Sequence, residues 1–170
     1  KLIAGTTRID IRREVESNKR KNNSKINEIR MRELGFNKQK NKTIDQNIFL
    51  KKTEYDASKG KEIFLQFVNK DNILFGLLRL RFPHNPFIKE LKGTAIIREV
   101  HVYGQSLKIG QKGEEGQHKG IGKLLMQEAE KITKEHNYKK LAVISGVGVR
   151  EYYKKLGYVL DGEYMVKEIF

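Results

Sequence analysis

The sequence predicts a mixed α/β domain built on one mostly antiparallel sheet. Three observations carry that expectation. Four segments between Asn47 and Gly104 are rich in β-branched and aromatic residues and are separated by turn-forming clusters. One long segment, 120–136, repeats its apolar residues mostly at helical spacing. A short apolar run, a short helical stretch and a hairpin then close the chain. Hairpin links give antiparallel pairs. The strand–helix–strand unit 94–145 instead needs parallel pairing and a right-handed crossover.

The elements follow in order. Residues 1–43 read as a basic arm. Within it "ESNKRKNNSK" (16–25) is polar and is expected to be a loop, and "INEIRMREL" (26–34) is a short helical pattern that Gly35 is expected to end. "NIFLKKTEY" (47–55) begins the strands. "EIFLQFV" (62–68) and "ILFGLLRLRF" (73–82) flank the turn "NKDN". "PHNPFIKELKG" (83–93) is a loop holding both prolines, and "TAIIREVHVYG" (94–104) is the next strand. A glycine-rich loop, 105–120, precedes the long helix, where Ile121, Leu124, Leu125, Met126, Ala129 and Ile132 set the apolar face. "KKLAVIS" (139–145) is a short buried strand. "GVGVREYYKKLG" (146–157) is a turn and helix closed by Gly157, and the last hairpin turns at Asp161–Gly162.

Composition narrows the classes of function. The chain has 170 residues, a net charge of +14 and no cysteine. Disulfides, thiolate metal sites and cysteine nucleophiles are therefore excluded within it, and no metal site is expected. There is no bilayer-length apolar run or signal-peptide pattern, so no membrane partner is expected, and the cytoplasm is the expected compartment. The first residue is Lys1 rather than Met, so the chain is expected to be a fragment of something longer. Residues 1–43 hold thirteen Lys and Arg against five Asp and Glu. Such a patch attracts polyphosphates, chiefly nucleic acid, although a lysine-rich solvated surface accounts for it equally.

Two stretches carry chemistry. In "GQHKGIGKLLMQEAEKI" (116–132), Gly120 and Gly122 stand at the mouth of a helix, where unpaired N–H groups and a partial positive charge collect. Glycines there let a diphosphate approach the backbone, and Gln117, His118 and Lys119 add donors. In "TAIIREVHVYG", strand alternation places Glu99, His101 and Tyr103 on one face and Arg98, Val100 and Val102 on the other. Two titratable groups on one face of a central strand cost energy unless they have partners or a task. Either Glu99 or His101 can serve as a general base; a structural ion pair is the competing account.

These residues resemble a known family. Gln117-x-x-Gly120-x-Gly122 with Leu124–Leu125, followed by "YYKKLGY" (152–158), is similar to the two signatures of the GNAT superfamily of acyl-CoA-dependent acetyltransferases. "IIREVHVYGQ" (96–105), "LAVISGVGVREYYKKLGY" (141–158) and "DGEYMVKEI" (161–169) extend the resemblance to the acetyltransferase domain of the Elongator catalytic subunit family, across roughly residues 73–170.

The resemblance implies a GNAT acetyltransferase fold, with helices on both faces and the sheet splayed between two parallel strands to admit acetyl-CoA. It implies an acetyl-pantetheine arm along Glu99, Val100, His101 and Val102. The pyrophosphate would rest on the amides of Gln117, His118, Lys119, Gly120, Ile121, Gly122 and Lys123. Tyr153 would meet the thioester sulfur, with Tyr152 the alternate. It also implies tRNA wobble-uridine chemistry, completed in a radical S-adenosylmethionine domain with a 4Fe-4S cluster that this chain lacks. Subunits of a parent complex are further expected partners. Residues 1–43 would be the end of that missing domain and its linker, and 44–170 the acetyl-CoA-binding domain. The family tends to have Ile-Arg-Cys-Arg-Glu where this chain reads "IRMRE", with Met31 in place of the cysteine. Arg8, Arg12, Arg13, Lys19, Arg20, Lys21, Arg30 and Arg32 are the expected RNA phosphate contacts. Arg150 and Lys155 are further phosphate candidates, and His84 and Asn85 are candidates to face substrate. A protein-lysine N-acetyltransferase and a non-catalytic acyl-CoA or tRNA-binding module remain open beside this reading.

Overall fold

The computed structural model describes residues 11–22, 29–38, 44–103 and 120–170. The chain divides into two compact units, Lys1–Met31 and Arg32–Phe170. In the first, Ile11–Lys21 form helix α1. This corrects the loop expected from residue 16 onward. Glu, Lys and Arg are good helix formers, and no Gly or Pro interrupts the stretch, so polarity alone did not specify a loop. A 3-10 turn at Ile29–Arg32 precedes helix α2, Leu34–Lys38. Gly35, expected as a helix stop, lies inside α2. Leu34 is 3% exposed and anchors that turn in the core, which outweighs the roughly 1 kcal/mol that a helical glycine costs.

Among the described residues, seven strands form one sheet. They are β1 (Phe49–Ala57), β2 (Gly60–Val68), β3 (Leu74–Phe82), β4 (Thr94–Val102), β5 (Lys140–Ile144), β6 (Val159–Asp161) and β7 (Tyr164–Glu168), in the order β1-β2-β3-β4-β5-β7-β6. Every neighbouring pair is antiparallel except β4 with β5. The "NKDN" turn forms as its residues dictate. Asn69 Oδ1 accepts the N–H groups of Asp71 and Ile73, and Asn72 takes a φ of 60°.

Between β4 and β5 runs helix α3, Ile121–Glu135; after β5 comes the short helix α4, Arg150–Lys155. Leu125, Met126, Ala129 and Ile132 of α3 pack with Ile63, Leu65, Leu78, Leu80, Ala95 and Ile97 of the sheet, and Tyr153 of α4 joins the same cluster. On the opposite face Ile96, Ala142 and Val166 pack with Leu91, which is supplied by a 3-10 turn at Lys89–Leu91. Among the described residues, α2, α3 and α4 reach the first face and this turn reaches the other. Gly76 seats the start of α3: a Cβ there would lie 2.7 Å from Ile121 Cγ2 and 3.2 Å from the His101 carbonyl oxygen.

One irregularity decides the chemistry of β4. Arg79 pairs with Glu99 but Leu80 pairs with Ile97, so Arg98 is an extra residue, a β-bulge. The bulge breaks the alternation. Arg98 does not share a face with Val100 and Val102 as expected; it turns to the face of Glu99 and bonds Glu62 there.

Candidate active site

The bulge lies where the sheet divides. β4 and β5 pair from Thr94↔Lys140 to Ile97↔Val143 and no further. Beyond that fork, Glu99–Val102 of β4 still pair with β3 on one side, while Arg98–Val102 have no β5 partner on the other. An unpaired strand edge presents backbone N–H and C=O groups at regular spacing, and an extended ligand can complete the ladder.

The start of α3 borders this opening. Gly120, the residue before the helix, has φ 107°, a left-handed conformation that costs a residue with a Cβ but not glycine. Its carbonyl accepts the Leu124 N–H at 2.9 Å, which leaves the amides of Ile121, Gly122 and Lys123 without intrahelical acceptors. Ile121 is buried, while Lys123 is exposed. Gly122 forms part of a tight cradle. A Cβ there would sit 3.1 Å from Tyr152 Oη and 3.5 Å from Val102 Cγ2. Tyr152 therefore hangs over the helix mouth and the far end of β4.

Tyr153 occupies a different position. Its ring is 5% exposed and meets the rings of Tyr152 and Tyr158 edge-on, at centroid distances of 5.2 and 6.0 Å. Burial, and secondarily the neighbouring Tyr152, raise its pKa above the ordinary phenol value. The phenol thus stays protonated at neutral pH. Among the described residues its hydroxyl has no hydrogen-bond partner. Tyr158 is anchored more firmly: its hydroxyl donates to Glu130 of α3, which also holds Lys167 of β7 at 2.8 Å.

On the sheet's opposite face a charge cluster backs β4. Glu62 of β2 is 1% exposed and accepts from Tyr55, Arg79, Arg81 and Arg98 at 2.7–3.0 Å. Burial alone would raise its pKa. Donation from Tyr55 and the three guanidinium groups outweighs that and holds it at about 2. Arg79 also donates to Glu99 at 2.9 Å, so it bridges the two carboxylates. The other Glu99 oxygen lies 3.5 Å from His101 Nε2, and His101 in turn stacks on Tyr103. The arrangement suits Glu99 to orient the imidazole, and His101, with a side chain 53% exposed, to take a proton.

The structure thus places Glu99, Val100, His101 and Val102 on β4 past the fork and brings Val102 together with Gly122 and Tyr152 at the start of α3, where Gly120, Ile121 and Lys123 also lie; Tyr153 is buried beside Tyr152. Gln117, His118, Lys119 and Arg8 lie outside the described residues, as do the side chains of Arg12, Arg13, Lys19, Arg20 and Arg30. Lys21 is exposed at the end of α1. Arg32 is engaged within the protein, donating to Gln66 and Asn72. Arg150 keeps a buried Nε without a partner, and Lys155 is exposed. Sequence reasoning missed Glu62, Arg79 and Arg81. Their signal was present: "LLRLRF" places two arginines two residues apart on one face of an otherwise apolar strand.

Comparisons with known proteins agree with this geometry. The family described as Acetyltransferase (GNAT) domain matches residues 113–169. Elongator complex protein 3 of Schizosaccharomyces pombe is 43% identical over 150 residues, covering 85% of this chain and 28% of that protein. The tRNA uridine(34) acetyltransferase of Methanocaldococcus jannaschii is 45% identical over 146 residues, covering 82% of this chain and 27% of that protein. The solved structure of an N-terminally deleted Elp3 from Methanocaldococcus infernus superposes with a TM-score of 0.79 at 40% identity. It covers 98% of this chain and 41% of that one. The chain spans under a third of the length of these curated relatives.

Proposed function

We propose that this chain, which belongs to the Elongator-type GNAT acetyltransferases, binds acetyl-CoA in the β4/β5 fork and cleaves its thioester in response to tRNA. The observation that carries this reading is the edge of Arg98–Val102, which among the described residues has no strand partner beyond Ile97↔Val143. The residues around it suit the ligand. A Cβ at Gly122 would press on the Tyr152 hydroxyl, three helix-start amides lack intrahelical acceptors and suit a diphosphate, and among the described residues the buried Arg150 Nε has no partner.

Acetyl-CoA supplies an activated acyl group when bound; the chain positions it and manages protons. The β4 edge fixes the pantetheine arm by backbone hydrogen bonds. Tyr153, kept protonated by burial, donates a hydrogen bond to the leaving sulfur. Its raised pKa makes it a stabilising donor rather than a source of a freely transferred proton. From the other face, His101 takes the proton of the attacking nucleophile, oriented by Glu99, which Arg79 holds. The two groups bracket the fork from opposite faces of the sheet.

The tRNA part rests on the names of the relatives and on the net charge of +14. Arg8, Arg12, Arg13, Lys19, Arg20, Lys21 and Arg30 are assigned to phosphate contacts, with residues 1–43 as a linker to the rest of a longer protein and 44–170 as the acetyl-CoA-binding domain. The radical S-adenosylmethionine step and its 4Fe-4S cluster are assigned elsewhere, because this chain has no cysteine to ligate iron. We place the protein in the cytoplasm, as a member of a parent complex. Among the described residues no helix is long and apolar enough to cross a membrane.

The experiment is release of free CoA from acetyl-CoA, with and without tRNA. Release stimulated by tRNA is expected. Release that requires a lysine peptide instead would establish the protein-lysine acetyltransferase. Tight acetyl-CoA binding with no release under either condition would leave a binding module.

A further inference from the structure

A cavity of about 390 Å³ lies against the sheet face opposite α3, walled by the loop between β3 and β4. Arg98 and Ile144 line it, and these are the first residues of β4 and β5 past their last pair. It therefore adjoins the fork on the side away from the α3 helix mouth. Its other walls include Arg81, His84, Phe87 and Ile88, and among the described residues no carboxylate lines it.

Two features of the walls point to a ligand. Phe87 is 95% exposed, far from the usual state of a phenylalanine, and sits directly after Pro86 in a loop stiffened by a second proline, Pro83. Such a ring serves as a stacking surface for a planar group. The charge is equally unbalanced. Among the described residues, Arg79, Arg81 and Arg98 have Glu62 and Glu99 as their carboxylate partners, which leaves one positive charge in excess in this cluster. Arg98 spends one Nη on Glu62, and its side chain is 43% exposed. Its remaining donors suit a phosphate. Asn85 and His84, in the same loop, offer edge contacts to a base.

We infer that this cavity binds one nucleotide of single-stranded RNA, its base stacked on Phe87 and its phosphate held by Arg98. The inference rests on the function proposed above and adds a subsite to it. A base within a duplex cannot enter a cavity of this kind; an unstacked one can. A simple anion would use Arg98 but gain nothing from Phe87, and an apolar ligand would gain nothing from Arg98.

The test uses the intact chain, a fluorescein-labelled oligouridylate and a blunt RNA duplex of equal length, with acetyl-CoA affinity measured on the same samples. Phe87→Ala is expected to weaken oligouridylate binding about tenfold, the size of one lost base–aromatic stack, and to leave duplex and acetyl-CoA binding unchanged. Phe87→Tyr should restore it. Arg98→Gln should flatten the salt dependence of oligouridylate binding by about 0.7, one phosphate of a single strand. Unchanged oligouridylate binding by Phe87→Ala, or an equal loss for duplex, would overturn the pocket while leaving the acetyl-CoA reading intact. Loss of acetyl-CoA binding by the unmodified chain would overturn that reading instead, whatever the RNA results.

Discussion

Tyr153→Phe is expected to lower the maximal rate of CoA release by roughly 10²- to 10³-fold, the usual cost of one preorganised donor to a developing negative charge. Acetyl-CoA affinity should barely change. The buried ring, which packs against Tyr152 and Tyr158, remains in the variant, and only the hydroxyl is lost. Tyr152→Phe supplies the contrast. Its hydroxyl sits over Gly122 at the helix mouth, where the diphosphate is assigned. Its loss should raise KM by roughly tenfold, about one hydrogen bond, with little effect on kcat. The opposite pattern would exchange the roles of the two tyrosines.

Glu62→Gln is expected to destabilise the fold by about 3 kcal/mol, because it removes the buried carboxylate that the partly exposed Arg79, Arg81 and Arg98 share. Urea unfolding measures this directly. The pH dependence gives a second signature. Glu62 is held at about 2 in the folded protein, against an ordinary value of 4.5. A depressed folded pKa contributes stability above the unfolded value, and that contribution fades as pH falls through the window from 4.5 toward 2. The carboxylate's share is about 3 kcal/mol at neutral pH. The unmodified protein should lose that amount more than Glu62→Gln across the window. Equal midpoints at pH 7 and parallel pH profiles would contradict the role given to Glu62. The variant also removes one of the two anchors of Arg79, so it should loosen Glu99 and reduce activity even where the protein is folded.

Much of this architecture was legible because local and tertiary preferences agree. The strands declare themselves by β-branched and aromatic runs, α3 by its spacing, and Gly120 by standing where the chain needs a positive φ. Other features were misread where tertiary context decides. Helix α1 hid behind polar residues, and Gly35 lies inside a helix because Leu34 is buried. The bulge at Arg98 left a trace that strict alternation overlooked. On the core side of β4 the apolar residues fall at Ala95, Ile97, Val100 and Val102, and the step of three marks the extra residue. The charge cluster and the cavity draw on β2, β3, β4 and the loop after β3. No one segment announces a partnership assembled by sheet register.

The central claim is that the free edge of β4 receives the acetyl-pantetheine arm. Backbone hydrogen exchange, measured with and without acetyl-CoA, tests it most directly. The account predicts slowed exchange within Arg98–Val102 and at the amides of Ile121–Lys123, with the paired stretch Thr94–Ile97 unchanged. Binding of acetyl-CoA that left Arg98–Val102 exchanging at the free rate would contradict it.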